Sequence, residues 1–379
     1  MKSSKTVTQL GTRILIAALM MLPLVAGFTS PAAADSGSSA GAVYTITNAA
    51  AGNEVLVYNR ASDGTLTFGG AYATGGLGSG DGLGSQEAIA LSQNKRWLFA
   101  VNAGSNEISV FAVKKNSLKL AGVFASGGER PISLTFNDGL LYVLNAGGSG
   151  NITGFRFGKG GALSPLAGST RHLSNHGAGA APGPAQISFD PDGRVLVVTE
   201  KATNLIVTYQ VEDGLAGPPV THASSGATPF GFAIDRRGNL IVSEAFGGAP
   251  GASALSSYNV HEETFELVSP SVPTTQTAAC WVVISKNGKF AYTTNAGSGS
   301  ISSYRIGKDG SLTLLEAAAG LTGAGSSPID MALSKDGRFV YALNAGTHTI
   351  SAFRVMADGS LEALGEASVP AGAVGLAAR

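Results

Sequence analysis

FVYALNAGTHTISAF, residues 339–353, reads as two short strands joined by a tight turn. Apolar residues lead to Asn344, the chain turns through Ala345 and Gly346, and a second alternating run closes on Phe353. Alternation over so few residues marks half-buried strands, and glycine permits the turn. Six other segments repeat this unit. The residue that ends its first strand is Asn48, Asn102, Asn145, Glu200, Glu244, Asn295 or Asn344, at intervals of 54, 43, 55, 44, 51 and 49 residues. Those intervals suit propeller blades rather than helical solenoids. The carboxamide or carboxylate at each anchor is expected to bond to the backbone of its own turn.

Working outward, the strand after each anchor closes on Tyr58, Phe111, Phe155, Tyr209, Tyr258, Tyr304 or Phe353. The spacing is 9 or 10 residues except in the fifth copy, where it is 14 because of the Gly-rich insertion from Phe246 to Ala254. Upstream lie hairpin signals such as Asp192-Gly193, Arg237-Gly238, Asn287-Gly288 and Asp336-Gly337, each preceded by a short apolar strand. Downstream, turns such as Asp63-Gly64, Asp309-Gly310 and Asp358-Gly359 introduce a further strand. Four antiparallel strands repeated seven times predict an all-β, seven-bladed β-propeller. The first unit lacks its inner strand. The small apolar run from Ala371 to Ala378 is expected to supply it, pairing with the first blade and closing the ring.

Residues 1–34 read as a secretory signal peptide: Lys2, Lys5 and Arg13 precede the apolar run from Ile14 to Phe28, and Ala32-Ala33-Ala34 offers a cleavage site. Residues 35–41 follow as a short flexible leader, and 42–379 as one propeller domain. The expected location is therefore secreted, periplasmic or cell envelope, with no transmembrane segment once the signal is removed. Without residues 1–34, 22 basic residues face 25 acidic ones, a net charge near −3. No basic run stands out, so no nucleic-acid partner is expected. The single cysteine, Cys280, rules out an intrachain disulfide framework and reads as a small buried hydrophobe.

Propellers present function at one end of their channel, on the loops leading into the inner strands. Those loops carry Glu87, Arg130, Gln186, Phe230, Trp281 and Asp330. Glu87 and Asp330 are candidate catalytic acids, each able to activate water, and Arg130 a candidate for polarising a carbonyl or binding a carboxylate. Gln186, Phe230 and Trp281 are candidate ligand contacts. Solvated rim residues or ion pairs between blades remain the alternative for the charged ones. His172 and His176 stand four apart but no helix supports a metal pair there, so neither metal nor cofactor is expected.

The units FDPDGRVLVVTEKATNLIVTYQV, 189–211, and LSKDGRFVYALNAGTHTISAFRV, 333–355, resemble the lactonase family of seven-bladed propellers. That family includes bacterial 6-phosphogluconolactonase and the fungal-type carboxymuconate lactonising enzymes, and the resemblance covers nearly all of 42–379. It implies the propeller fold and, for an active member, lactone hydrolysis. Family members resembling active lactonases carry His-x-His or Pro-Arg-His at the starts of inner strands. Here the matching positions read Gly183-Pro184-Ala185, Phe230-Gly231 and Ile329-Asp330, and Arg130 precedes its proline. The leading expectation is thus a monomeric extracytoplasmic binding or scaffold protein for a small molecule or a protein or peptide of the cell envelope. The alternative is a lactonase-type hydrolase acting on a lactone or cyclic ester.

Overall fold

Seven antiparallel sheets account for the strands of the computed structural model, which describes residues 40–379 apart from Asn116, Glu262 and Glu263. The signal-peptide reading of residues 1–34 lies outside the described residues, as does most of the 35–41 leader. Each sheet is one blade of a seven-bladed propeller. The inner strands are Val374–Ala378 in blade one, Ile89–Leu91, Pro131–Asn137, Pro184–Phe189, Pro229–Ile234, Ala279–Ile284, and Pro328–Leu333 in blade seven. In blades three and four the outermost strand is broken into two pieces, at Leu163–Pro165 with Arg171–His172 and at Leu215–Ala216 with Val220–Ala223.

Closure follows the sequence expectation. Val374–Ala378 runs antiparallel to Gly41–Ile46, with Val43 opposite Ala378 and Ile46 opposite Val374. Both partners are buried along almost their whole length, so the join is built like any interior strand pair. Two edges that would otherwise template aggregation are thereby removed.

The seven anchors behave differently from the expectation. All are buried, and their side chains reach beyond their own turns. Asn102, Asn295 and Asn344 donate to the hydroxyls of Ser109, Ser302 and Ser351, each seven residues on. Glu244 accepts from the Gly226 amide at 2.7 Å and from the Ser271 hydroxyl at 2.6 Å. The reason is room: the loop returning from the previous blade lies directly on the anchor, so close that a Cβ on Gly76 or Gly226 would collide with Asn102 or Glu244. Asn102 and Glu244 thus tie their blades to what precedes them, accepting from Asn53 of blade one and from Gly226 of the incoming loop, while Asn295 and Asn344 bond within their own blades.

The aromatic that closes the third strand marks a second recurring device. In five blades the ladder to the outer strand shifts register immediately before it, at Tyr58, Phe111, Tyr258, Tyr304 and Phe353. A bulge there increases the local twist that a radial sheet requires. Several of the tyrosine hydroxyls then staple adjacent blades, as Tyr58 does to the Ser368 carbonyl at 2.7 Å and Tyr304 to the Val272 carbonyl at 3.0 Å. Tyr304→Phe is expected to lower stability by about 1 kcal/mol in urea unfolding, the usual net contribution of one such bond. An unchanged midpoint and slope would show that the staple contributes nothing.

Candidate functional site in the central channel

The connection from Ala73 to Ile89 does not stay on its own blade. Its last residues cross the axis of the ring. The Ser85 hydroxyl donates to the Ile132 carbonyl, and the Glu87 carbonyl accepts from Leu134, both on blade three. Gln86 N–H donates to the Ala185 carbonyl of blade four. Its carboxamide donates to the Val282 carbonyl of blade six at 3.2 Å, and Trp281 Nε1 donates to the Ser85 carbonyl at 3.2 Å. On blade five, a Cβ at Gly231 would stand 2.4 Å from Gln86 Oε1, so only glycine lets the carboxamide through. Ser85–Glu87 is thus a roof over one end of the channel.

Beneath the roof lies a cavity of about 540 Å³ lined by Glu87, Gln186 and Asp330 and walled by apolar residues such as Phe232, Val282 and Met331. A register shift at the start of the inner strands, between Pro184 and Gln186 in blade four and between Pro328 and Asp330 in blade seven, accompanies the turn of these polar residues into the channel. Gln186 is held on both sides by blade five: its amide donates to the Phe232 carbonyl at 3.0 Å and accepts from Phe232 N–H at 2.7 Å. Asp330 is 1% exposed; its Oδ1 accepts from Met331 N–H at 2.7 Å, while Oδ2 has no partner among the described residues. Glu87 Oε2 is likewise buried and unpartnered, although Gln186 bonds to its carboxyl.

The electrostatics follow from that enclosure. Burial pushes the Glu87 carboxyl up to about 8, against a smaller opposing effect of Gln186 and Lys95. Burial likewise lifts Asp330 well above the carboxylate range, and the Glu87 charge adds to it. Desolvation therefore keeps both carboxyl groups protonated to unusually high pH, and Glu87 becomes available as a base only as pH approaches about 8.

Of the six residues singled out from sequence, the structure brings Glu87, Gln186 and Asp330 to this cavity and leaves three outside it. Arg130 is exposed on the rim, where it donates to the Gly82 carbonyl at 3.3 Å. The arrangement expected from sequence, with Arg130 beside the two acids, does not form because the roof occupies the space between rim and channel. Phe230 and Trp281 pack at 5.1 Å behind the roof, where Trp281 is 3% exposed. Cys280 beside them is a buried free thiol, which burial pushes up to about 12.

Two lysines escaped the sequence reading. Lys201 holds the roof loop by donating to the Gly84 and Pro184 carbonyls and lies over the Phe230 ring at 4.6 Å. Its desolvation brings the ammonium down to about 8. Lys95 lines the far part of the channel. A signal for it was present: Lys95 takes a left-handed φ of 59° at the turn position where blades three to seven have Gly139, Gly193, Gly238, Gly288 and Gly337.

Among solved structures, the chain is similar to a protein from Lactobacillus plantarum, 18% identical with a TM-score of 0.71 over 89% of this chain and 99% of that one. It is also similar to the periplasmic gluconolactonase of Pseudomonas aeruginosa, 16% identical with a TM-score of 0.68 over 89% and 98%. A protein from Desulfotomaculum acetoxidans gives 12% identity and a TM-score of 0.65 over 88% and 98%. At such identities these likenesses concern the fold. No curated protein matches the sequence. The family described as lactonase, 7-bladed beta-propeller, matches residues 42–172, 149–248 and 246–371, and with nearly every blade covered the chain belongs to that family.

Proposed function

We propose that the protein is an exported hydrolase that opens a lactone or related cyclic ester inside its central channel. The observation that carries this reading is the pair of buried carboxyl groups, Glu87 and Asp330, each with an oxygen that has no partner among the described residues, in one cavity of ligand size. Family membership and the periplasmic gluconolactonase among its structural neighbours support hydrolysis over a purely binding or scaffold role. The N-terminal sequence and that neighbour's location support export. No helix of the described residues is long and apolar enough to cross a membrane.

Glu87, as carboxylate, takes a proton from water while the water oxygen attacks the ring carbonyl carbon. The tetrahedral intermediate collapses by breaking the ring C–O bond. Asp330 gives its proton to the departing ring oxygen, and a hydroxy acid results. Gln186 positions Glu87 through its carboxamide. Arg130 has no part in these steps because it stands outside the cavity.

The test is hydrolysis of glucono-lactones and simple γ- and δ-lactones by the purified chain. kcat/KM is expected to rise with pH and level off above about 8, as Glu87 loses its proton. Glu87→Gln removes that limb, whereas Arg130→Ala leaves it in place. A rate no faster than buffer for every lactone returns the protein to the binding reading.

A further inference from the structure

We propose that the face opposite the roof carries an anion-binding site at the channel mouth, built by Lys95, Arg236, Lys286 and Lys335, for a small ligand bearing phosphate or carboxylate groups. The channel wall descends from the roof along the inner strands to Leu91, Ile234, Ile284 and Leu333 and includes Lys95. At these strand ends the hairpins to the second strands begin. Three of them place a cation at the same turn position: Asp235-Arg236, Ser285-Lys286 and Ser334-Lys335, in consecutive blades. Lys95 of blade two joins them from inside the channel, near enough to Lys335 for the two charges to repel.

The surroundings are shaped for a ligand. A cleft of about 520 Å³ between the hairpins of blades five and six is lined by Arg236 and Lys286. Another of about 330 Å³ lies between blades six and seven, and Lys286 lines it too. The acids in these hairpins are already engaged. Asp235 accepts from Arg237 at 2.7 Å and Asn239 at 2.8 Å, and Asp336 from Ser334 at 2.6 Å and Arg338 at 3.1 Å. The side chains of Lys95, Arg236, Lys286 and Lys335 have no hydrogen bond or ion pair with any described residue. The other acids of such turns, Asp138, Asp190 and Asp192, belong to blades three and four, outside this arc.

Four cations without an ion pair among the described residues, Lys95 alone feeling the charge of Glu87 deeper in the channel, concentrate anions at one opening of a chain that is otherwise slightly acidic. Phosphate and carboxylate are the groups such cations hold. Burial and the Lys335 charge also keep the Lys95 ammonium below its ordinary range, a strain that a bound anion relieves.

Isothermal titration of the whole chain with inorganic phosphate, and separately with gluconate, at low ionic strength tests the site and distinguishes the two anion chemistries. Saturable binding of either is expected. Affinity should fall by about tenfold or more in Lys286→Gln/Lys335→Gln and stay unchanged in Arg130→Gln/Lys201→Gln on the roofed side. The single variant Lys335→Gln, on an exposed hairpin, gives the same reading should the double fail to fold. Absence of saturable binding at millimolar anion, or equal affinity in the two doubles, overturns the proposal. Binding is read without turnover, so a failure of the hydrolase reading leaves this site standing.

Discussion

Asp330→Asn is expected to lower kcat/KM for lactone hydrolysis by about a hundredfold or more, the range that a positioned proton donor contributes. The amide keeps the shape of the carboxyl and can still accept from Met331 N–H, so the channel wall is preserved. What disappears is the proton that the proposed mechanism gives to the ring oxygen. The same substitution should make the folded chain more stable at alkaline pH. Asp330 holds its proton in the folded state far above the pH at which the unfolded chain releases it. Its contribution is therefore fully present below the ordinary aspartate range and is lost as pH rises towards its folded value. Asparagine carries no such dependence. Thermal melts at pH 5 and pH 8 should show a smaller alkaline drop for the variant than for the parent. Lost activity in a chain equally or more stable at pH 8 supports the acid role. Wild-type activity in Asp330→Asn removes Asp330 from the chemistry.

The second large effect concerns the strand that closes the ring. Deleting residues 371–379 should cost about 5 kcal/mol or more, enough to consume most of the stability of an ordinary domain. Val374 and Leu376 are each 5% exposed, and burial of such side chains contributes about 1.5–3 kcal/mol apiece. The ladder to Gly41–Ile46 and the bond from Thr45 to the Val374 carbonyl are lost with them. Blade one would then present a bare edge, so the truncated chain should associate or aggregate in size-exclusion chromatography. A monomeric, cooperatively melting truncation near the parent Tm would mean that the other six blades hold the ring unaided. The strand also borders the site, since Leu376 lines the cavity and its backbone bonds to Asp330. A weakened closure should therefore reduce activity before it unfolds the protein.

The architecture was legible because each blade repeats its own punctuation: an anchor, an aromatic nine or ten residues later, and Gly-containing hairpins. Even the closing strand could be placed, because the first unit visibly lacked a partner. The site was legible only along each strand. Glu87, Gln186 and Asp330 reach the channel because they stand at strand starts, a position the repeat identifies. Arg130 occupies a comparable place in its own blade, yet Ser85–Glu87 separates it from them by bonding to blades three, four and six. That crossing depends on contacts between residues nearly two hundred positions apart, which periodicity cannot reveal. The interval of 54 residues between Asn48 and Asn102, among the longest of the six, was its only trace. The cationic mouth was hidden for a related reason. No stretch of sequence is basic, but the ring collects one charge from each of several hairpins onto a single opening.

The roof also bears on traffic. With one end covered by a segment tied to blades on both sides of the axis, the opposite mouth is the route we propose for whatever reaches Glu87 and Asp330. The proposed hydrolysis makes an acid, which on that route leaves past Lys95 in the channel lining. On the proposed hydrolysis, accumulating hydroxy acid should compete with fresh substrate from the first minutes of a reaction.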